Sequence, residues 1–197
     1  MVNLRGECDR FILSEEQINS DFDCGNTDLN DFFNLDAIQY RRQMLSETCF
    51  FRCKSSGKVV CAFSFSASSI KTADLPGSRR KKVKEFIPRE KMLMSYPAML
   101  IGRLGVATEF SGKGIGKQLM QFIKDYSLIY YPGFVRYLLV DAYNEPGILD
   151  FYKKNDFTTV FSSEKQEKEN YRQLISETLR TRYMFFDMIK WRDKMIE

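Results

Sequence analysis

Apolar positions along the chain change period several times, and each change marks an element. Cys8 to Leu13 alternates and predicts a first edge strand, and Ser14-Glu15-Glu16 reads as a helix start. Phe22-Asp23-Cys24-Gly25 is a turn. From Thr27 or Asp28, the residues Leu29, Phe32, Phe33, Ile38 and Met44 recur at helical spacing and predict a helix to about Leu45, with Arg41 and Arg42 on its solvated face. Cys49 to Lys54 and Val59 to Phe65, joined by Ser55-Ser56-Gly57-Lys58, predict a hairpin in the middle of an antiparallel sheet. Residues 71–95 lose periodicity and form a loop. Pro97 opens a long strand ending at Val106, and after Gly112, Gly114 and Gly116 comes Leu119, Met120, Phe122, Ile123, a helix to about Tyr126. Tyr137 to Ala142 predicts a short buried strand. Asn144-Glu145-Pro146 starts a helix with Pro at its first turn, carrying Ile148, Leu149, Phe151 and Tyr152. Phe157 to Phe161 is a further strand, residues 162–180 a polar connector, and Arg182 to Met188 a last strand before a charged tail.

At 197 residues the chain suits one domain, 1–197, with one good core. The 44% hydrophobic and 28% charged content is that of a globular protein rather than a disordered one. No apolar stretch reaches the ~18 residues of a membrane span, and Met1 to Leu13 lacks the apolar core of a signal peptide, so a cytoplasmic location is expected. The five cysteines are scattered without CxxC pairs and the chain has no histidine. Zinc sites of the Cys/His type and histidine-dependent nucleophiles are thereby set aside, and the cysteines read as reduced, packed thiols. A net charge of +4 permits an anionic partner without demanding one. The densest basic run is Arg79, Arg80, Lys81, Lys82, and Lys84 follows. It reads either as a solvated loop or as a set of phosphate contacts to an RNA.

The glycine loop bears most directly on chemistry. A helix start offers unsatisfied N–H groups and partial positive charge, and glycines let a bulky anion approach the backbone. A nucleotide-triphosphate loop fails here, because three residues rather than four separate Gly112 from Gly116-Lys117, and Gln118 follows. A dinucleotide fingerprint is weakened by Lys117 and Leu119 where its third glycine belongs, although Asp141 at the next strand end keeps it open. An acyl-coenzyme A pyrophosphate loop, Arg or Gln, two residues, Gly, any residue, then Gly or Ala, is filled by Ser111, Gly114 and Gly116, with Ser111 departing from the usual first residue.

The run Arg103-Leu104-Gly105-Val106, then Ser111 to Lys117, then Leu138-Leu139-Val140-Asp141-Ala142, Asn144, Phe151-Tyr152 and Phe157, resembles the acetyl-coenzyme A site of the GNAT N-acetyltransferases. The resemblance implies an α/β (α+β) fold with a mixed, mostly antiparallel central sheet of six to seven strands flanked by helices, and a splayed strand pair at the cofactor. It implies acetyl-coenzyme A as cosubstrate, no metal, and direct transfer to an amine. Backbone groups of Leu104, Gly105 and Val106 would polarise the thioester, and Ser111, Gly112, Lys113, Gly114, Ile115, Gly116 and Lys117 would cradle the pyrophosphate. Asn144 would hydrogen-bond the pantetheine arm or orient the next helix; the bland reading is a plain helix cap. Tyr152, protonated at neutral pH, would be the general acid for the departing thiolate; the bland reading is a core aromatic. No general base is assigned among Glu109, Asp141 and Glu145. Phe22-Asp23-Cys24-Gly25, Leu29-Asn30, Ile101-Gly102-Arg103-Leu104 and Phe151-Tyr152 resemble the subgroup of toxins that acetylate aminoacyl-tRNA. That subgroup implies tRNA as acceptor, with contacts from Arg79 to Lys82, and a small antitoxin partner. A small-molecule or protein amine is the other acceptor class, a non-catalytic coenzyme A- or nucleic-acid-binding module is the alternative function, and a monomer or homodimer is expected.

Overall fold

The computed structural model describes residues 2–14, 22–87, 94–172, 174 and 176–196. The helix start expected at Ser14-Glu15-Glu16 runs into residues outside this set. Among the described residues seven strands form one sheet, in the order β1 (Cys8–Ile12), β2 (Glu47–Cys53), β3 (Val59–Lys71), β4 (Ser95–Val106), β5 (Tyr137–Tyr143), β7 (Thr181–Asp187), β6 (Thr158–Thr159), a mixed and mostly antiparallel arrangement. The chain divides into two compact units, residues 1–66 with 101–126, and residues 67–100 with 127–197.

The first unit holds α1 (Leu4–Glu7), β1 (Cys8–Ile12), α2 (Thr27–Asp31), a π-helical stretch (Phe32–Asp36), α3 (Ala37–Arg42) and β2 (Glu47–Cys53). To it also belong the first residues of β3 (Val59–Lys71), the last of β4 (Ser95–Val106), and most of α5 (Ile115–Tyr130). β1, β2 and β3 pair antiparallel in sequence order. The unbroken apolar run of β2 follows from burial on both faces, because successive strand side chains point to opposite sides. Phe50 meets Phe22 and Phe33 edge-on at 6.2 and 5.9 Å, whereas Phe51 meets Phe122 of α5 at 4.9 Å. On that second side Phe63 and Phe65 contact Phe122 and Tyr126, and the Arg10 guanidinium lies 5.1 Å from the Tyr126 ring. The helix expected from Thr27 to Leu45 is realised with one extra residue per turn in the middle, at Phe32–Asp36. The π turn buries Phe32 and Phe33 together.

The second unit holds α4 (Gly77–Val83), the start of β4, β5 (Tyr137–Tyr143), α6 (Pro146–Lys154), β6 (Thr158–Thr159), α7 (Glu164–Tyr171), β7 (Thr181–Asp187) and α8 (Met188–Ile196). Its core gathers Ile70, Leu75, Val83, Tyr96, Tyr137, Leu139, Phe161 and Phe185, and the Tyr137 hydroxyl donates to the Val83 carbonyl at 2.6 Å. β5 runs antiparallel to β7 along its whole length. The parallel ladder of β4 with β5 covers Ala98–Leu100 against Tyr137–Leu139, and both strands continue past it.

Three expectations change here. The basic run of the 71–95 segment is helix α4 rather than loop. The charged tail is helix α8. The polar connector contains α7, whose Glu167 is 1% exposed. Its carboxylate accepts from Arg182 Nε and from the Tyr183 N–H, each at 2.6 Å. A sequence of Lys and Glu at every face hides this inward carboxylate, because the partner that makes its burial tolerable is fifteen residues away.

Candidate functional site

In the first unit the end of β4, the glycine loop and the head of α5 form one continuous device. Past Val106, the Ala107 N–H donates to the Val60 carbonyl (2.9 Å) and the Thr108 N–H to the Asp23 carbonyl (2.9 Å), which fixes where the strand stops. A short 3-10 turn, Thr108–Phe110, follows, closed by the Phe110 N–H on Ala107 and the Ser111 N–H on Thr108. Gly112 and Gly114 then take φ of +71° and +75°, with nothing within 4 Å of where a Cβ would stand. Left-handed backbone suits glycine, and the bare Cα surface leaves room for a group to rest on the peptides. Ile115, 1% exposed, anchors the first turn of α5, and Gln118 donates to the Gly114 carbonyl at 3.2 Å. Gly116 lies within the helix.

The charges are unequal in role. Lys113 Nζ turns back to the Glu109 carbonyl at 2.7 Å, while the Glu109 carboxylate pairs with Lys58 at 2.6 Å. Lys117 and Ser111 are exposed. An open glycine backbone at the start of a sixteen-residue helix, flanked by lysines, fits a diphosphate.

A feature missed in the sequence lies behind β4. Asp23 Oδ1 accepts from the Gly25 N–H (2.8 Å) and from Asn30 Nδ2 (2.7 Å), and Asn30 Oδ1 accepts from the Cys24 N–H (2.9 Å). Those bonds hold the Asp23 carboxyl below its ordinary pKa, the Gly25 N–H first and Asn30 second. Asn34 clamps both the N–H and the carbonyl of Phe22. The turn so fixed presses on Gly105, where a Cβ would fall 3.1 Å from two Phe22 ring carbons and 3.3 Å from the Cys24 Cβ. Gly105 is therefore glycine for close packing. The aspartate and asparagines spaced along 23–34 were the available signal. Nearby on the same strand, the Arg103 guanidinium lies 5.0 Å from the Phe32 ring and donates to the Gly102 carbonyl.

In the second unit β5 leads into α6. Glu145 is the residue preceding the helix and Pro146 opens it, as the sequence implies. Asn144 is not the cap: its Nδ2 donates to the Leu179 carbonyl and its N–H to the Arg180 carbonyl, both at 3.0 Å. It thus ties the β5–α6 corner to the chain entering β7, and it lines an open cavity of about 750 Å³ with Pro146, Gly147 and Lys153. Tyr152 is 7% exposed, with Phe151 and Phe157 edge-on at 5.1 and 5.4 Å. Burial pushes its phenol well above the ordinary value, so it stays protonated across the physiological range. Burial likewise raises the Asp141 carboxyl.

The basic run divides by function. Arg79 donates to the Val160 and Thr159 carbonyls at 2.5 and 2.6 Å, and Arg80 to those of Thr72, Ala73 and Leu75 at 2.9 to 3.2 Å. These two arginines join α4 to the segments around it. Lys81 and Lys82 are exposed. Among the described residues, no group of His, Cys, Asp or Glu is arranged to hold a metal, and no helix is long and apolar enough to cross a membrane.

Residues 84–159 match the family model described as acetyltransferase (GNAT) domain, a span that contains the β4 end, the glycine loop, Asn144 and Tyr152. No curated protein matches the chain. Solved structures do. A mutant of KacT is 18% identical, with a TM-score of 0.66 over 95% of this chain and 99% of that one. AtaT complexed with acetyl-methionyl-tRNAfMet is 20% identical, with a TM-score of 0.65 over 97% and 100%. A mutant AtaT toxin bound to the C-terminus of the antitoxin AtaR and to acetyl-CoA is 18% identical, with a TM-score of 0.62 over 97% and 99%. The domain model is matched across the glycine loop, and the chain has the fold of these structures over nearly all of its length, so it is similar to the GNAT acetyltransferases.

Proposed function

We propose that this chain, acting as one acetyltransferase domain over 1–197, transfers an acetyl group from acetyl-coenzyme A to the α-amino group of an aminoacyl-tRNA. The observation that carries this reading is the extent of the likeness. It runs through 97% of this chain, and through 100% of AtaT solved with acetyl-methionyl-tRNAfMet and 99% of a mutant AtaT toxin solved with acetyl-CoA. The 22–34 segment, which sets Gly105 in place, lies outside the matched domain model.

Acetyl-coenzyme A, when bound, supplies the activated acyl carbon. The glycine loop from Ser111 to Lys117 holds the diphosphate through backbone N–H groups, with Lys117 adding charge. Ser111, neutral and short, leaves that contact to the backbone. N–H groups at Leu104, Gly105 and Val106 orient and polarise the thioester carbonyl. Tyr152 Oη delivers the proton that the departing sulfur needs, a role suited to a phenol that burial keeps protonated. Asn144 sets the corner from which α6 carries Tyr152. Solvent takes the proton from the amine. Exposed Lys81 and Lys82 supply phosphate contacts to the acceptor, and Arg79 and Arg80 support them. A small antitoxin, such as the one bound by AtaT, is the expected regulator.

The test is incubation of the purified chain with labelled acetyl-coenzyme A, a charged tRNA pool and a panel of free amines. Label recovered as N-acetyl-aminoacyl-tRNA supports the reading. Turnover on free amines alone would move the acceptor to the small-molecule class, and coenzyme binding without thiol release would make the chain a non-catalytic binder.

A further inference from the structure

We propose that Cys8 and Cys53 form a dithiol modification site on the outer strand pair of the first unit, which a hydroperoxide converts to a cross-strand disulfide. The two residues are direct partners in the β1–β2 register. The Lys54 N–H donates to the Glu7 carbonyl (2.9 Å), and the Leu13 N–H to the Thr48 carbonyl (3.0 Å). Both belong to hydrogen-bonded rows of the same register, so Cys8–Cys53, one row in from Glu7–Lys54, is a non-hydrogen-bonded row. In such rows opposed Cα atoms approach to about 4.5 Å, and the side chains lie on one face at their closest. Disulfides accept Cα separations from about 4.4 Å upward. Cys49 faces Ile12 and Phe63, and Cys61 faces Phe51, so in the pairing of β1 with β2 and of β2 with β3 no other cysteine has a cysteine opposite it.

The two thiols differ in the way an attacking and a resolving cysteine do. Cys53, the last residue of β2 and itself 5% exposed, has its Sγ 3.2 Å from Ser55 Oγ of the exposed turn that follows. Hydrogen bonds from the Ser55 and Ser56 side chains, then from their backbone N–H groups, lower its pKa to about 7. Cys8 is pushed up to about 11, by burial first and by Cys53 next. Cys49 and Cys61 are raised by burial, which leaves them as inert core thiols. The Cys53 thiolate attacks one peroxide oxygen: an S–O bond forms, the O–O bond breaks, and the leaving oxygen departs as water or alcohol after taking a proton. The Cys8 sulfur then attacks the sulfenic sulfur. The S–S bond forms, the S–O bond breaks, and hydroxide leaves as water with the Cys8 proton. Two thiols lose two electrons in all, and the peroxide gains them.

The bond would fasten a segment with a second duty. Just ahead of Cys8, the Leu4 N–H donates to Gln118 Oε1 (3.0 Å) and the Val2 carbonyl accepts from Gln118 Nε2 (3.1 Å). Gln118 stands in the first turn of α5, directly after the glycine loop. The staple therefore secures β1 directly behind the Val2–Leu4 segment that steadies the helix start.

The full, reduced chain is treated with hydrogen peroxide, digested without reductant and mapped by mass spectrometry. The expected product is one cross-linked peptide pair, Cys8 with Cys53, two hydrogens lighter than its parts and restored by dithiothreitol. In Cys8→Ser, Cys53 is captured as a sulfenic acid by dimedone, and in Cys53→Ser no adduct appears at Cys8. Full alkylation of both cysteines after peroxide, or oxidation falling first on Cys24, Cys49 or Cys61, would overturn the proposal. The wild-type chain carries the main readout, so a variant that fails to fold leaves the test intact.

Discussion

Gly105→Ala adds one methyl group where the turn at Phe22–Cys24 meets β4, and the cost can be worked from the contacts. The new carbon would stand 3.1 Å from Phe22 Cε1 and Cζ and 3.3 Å from Cys24 Cβ, against a comfortable carbon–carbon separation of about 3.5–4.0 Å. Relief needs a shift of about half an ångström, and neither neighbour is free to give it. Phe22 is 2% exposed, has Phe33 edge-on at 5.2 Å, and is bonded at both its N–H and its carbonyl to Asn34. Cys24 is held through its N–H by Asn30. Overpacking of this kind costs about 1–3 kcal/mol, and two immovable partners put this case at about 2 kcal/mol or above. Urea unfolding followed by tryptophan fluorescence should show the midpoint falling by about 1 M, with the slope against denaturant unchanged. An unchanged midpoint would mean that the 22–25 turn yields freely, and the claim that it sets the end of β4 would fall with it.

Tyr152→Phe should lower kcat by about 10²-fold or more while coenzyme A affinity stays within about two-fold, as titrated by calorimetry; equal losses in both would mark Tyr152 as structural. Gly114→Asp brings a side chain and a negative charge to a left-handed, open position, so coenzyme A binding should vanish while the backbone strain lowers the melting temperature by about 2–8 °C without unfolding the chain. Normal coenzyme affinity in that variant would remove the loop from the binding site. Arg79→Ala leaves the Thr159 and Val160 carbonyls without their donor and should cost about 1–3 kcal/mol of stability. Lys81→Ala with Lys82→Ala should leave stability alone and flatten the salt dependence of tRNA binding, read by filter binding across a salt series. Glu167→Ala strands the buried Arg182 guanidinium and should cost about 3–5 kcal/mol, whereas replacing both partners with apolar residues should recover most of it. A small loss in the single variant would show that water reaches the pair.

The basic run illustrates how the reading from sequence and the structure part company. Four cations in a row look alike on paper, and only the positions of the Thr72, Thr159 and Val160 carbonyls separate two structural arginines from two exposed lysines. Glu167 is the converse case, a core residue concealed in a polar stretch, because its partner comes from β7. The interrupted helix at Phe32–Asp36 was legible as a helix and not as a π turn, since periodicity does not register one added residue where two rings must both be buried.

The amino-acid order alone determined the strand–glycine loop–helix unit from Met99 to Tyr126, the β2–β3 hairpin and the proline-led start of α6. Each of these is set by contacts and backbone preferences within a few residues: glycine at positive φ, proline at a helix start, apolar side chains at one period. The tertiary structure decided what long-range partners decide. It gave Gly105 its reason in the Phe22–Cys24 turn, moved Asn144 from a cap to a tie on Leu179, and set Cys8 opposite Cys53. Those pairings join residues tens of positions apart, and such separations become neighbours only when the sheet has chosen its register.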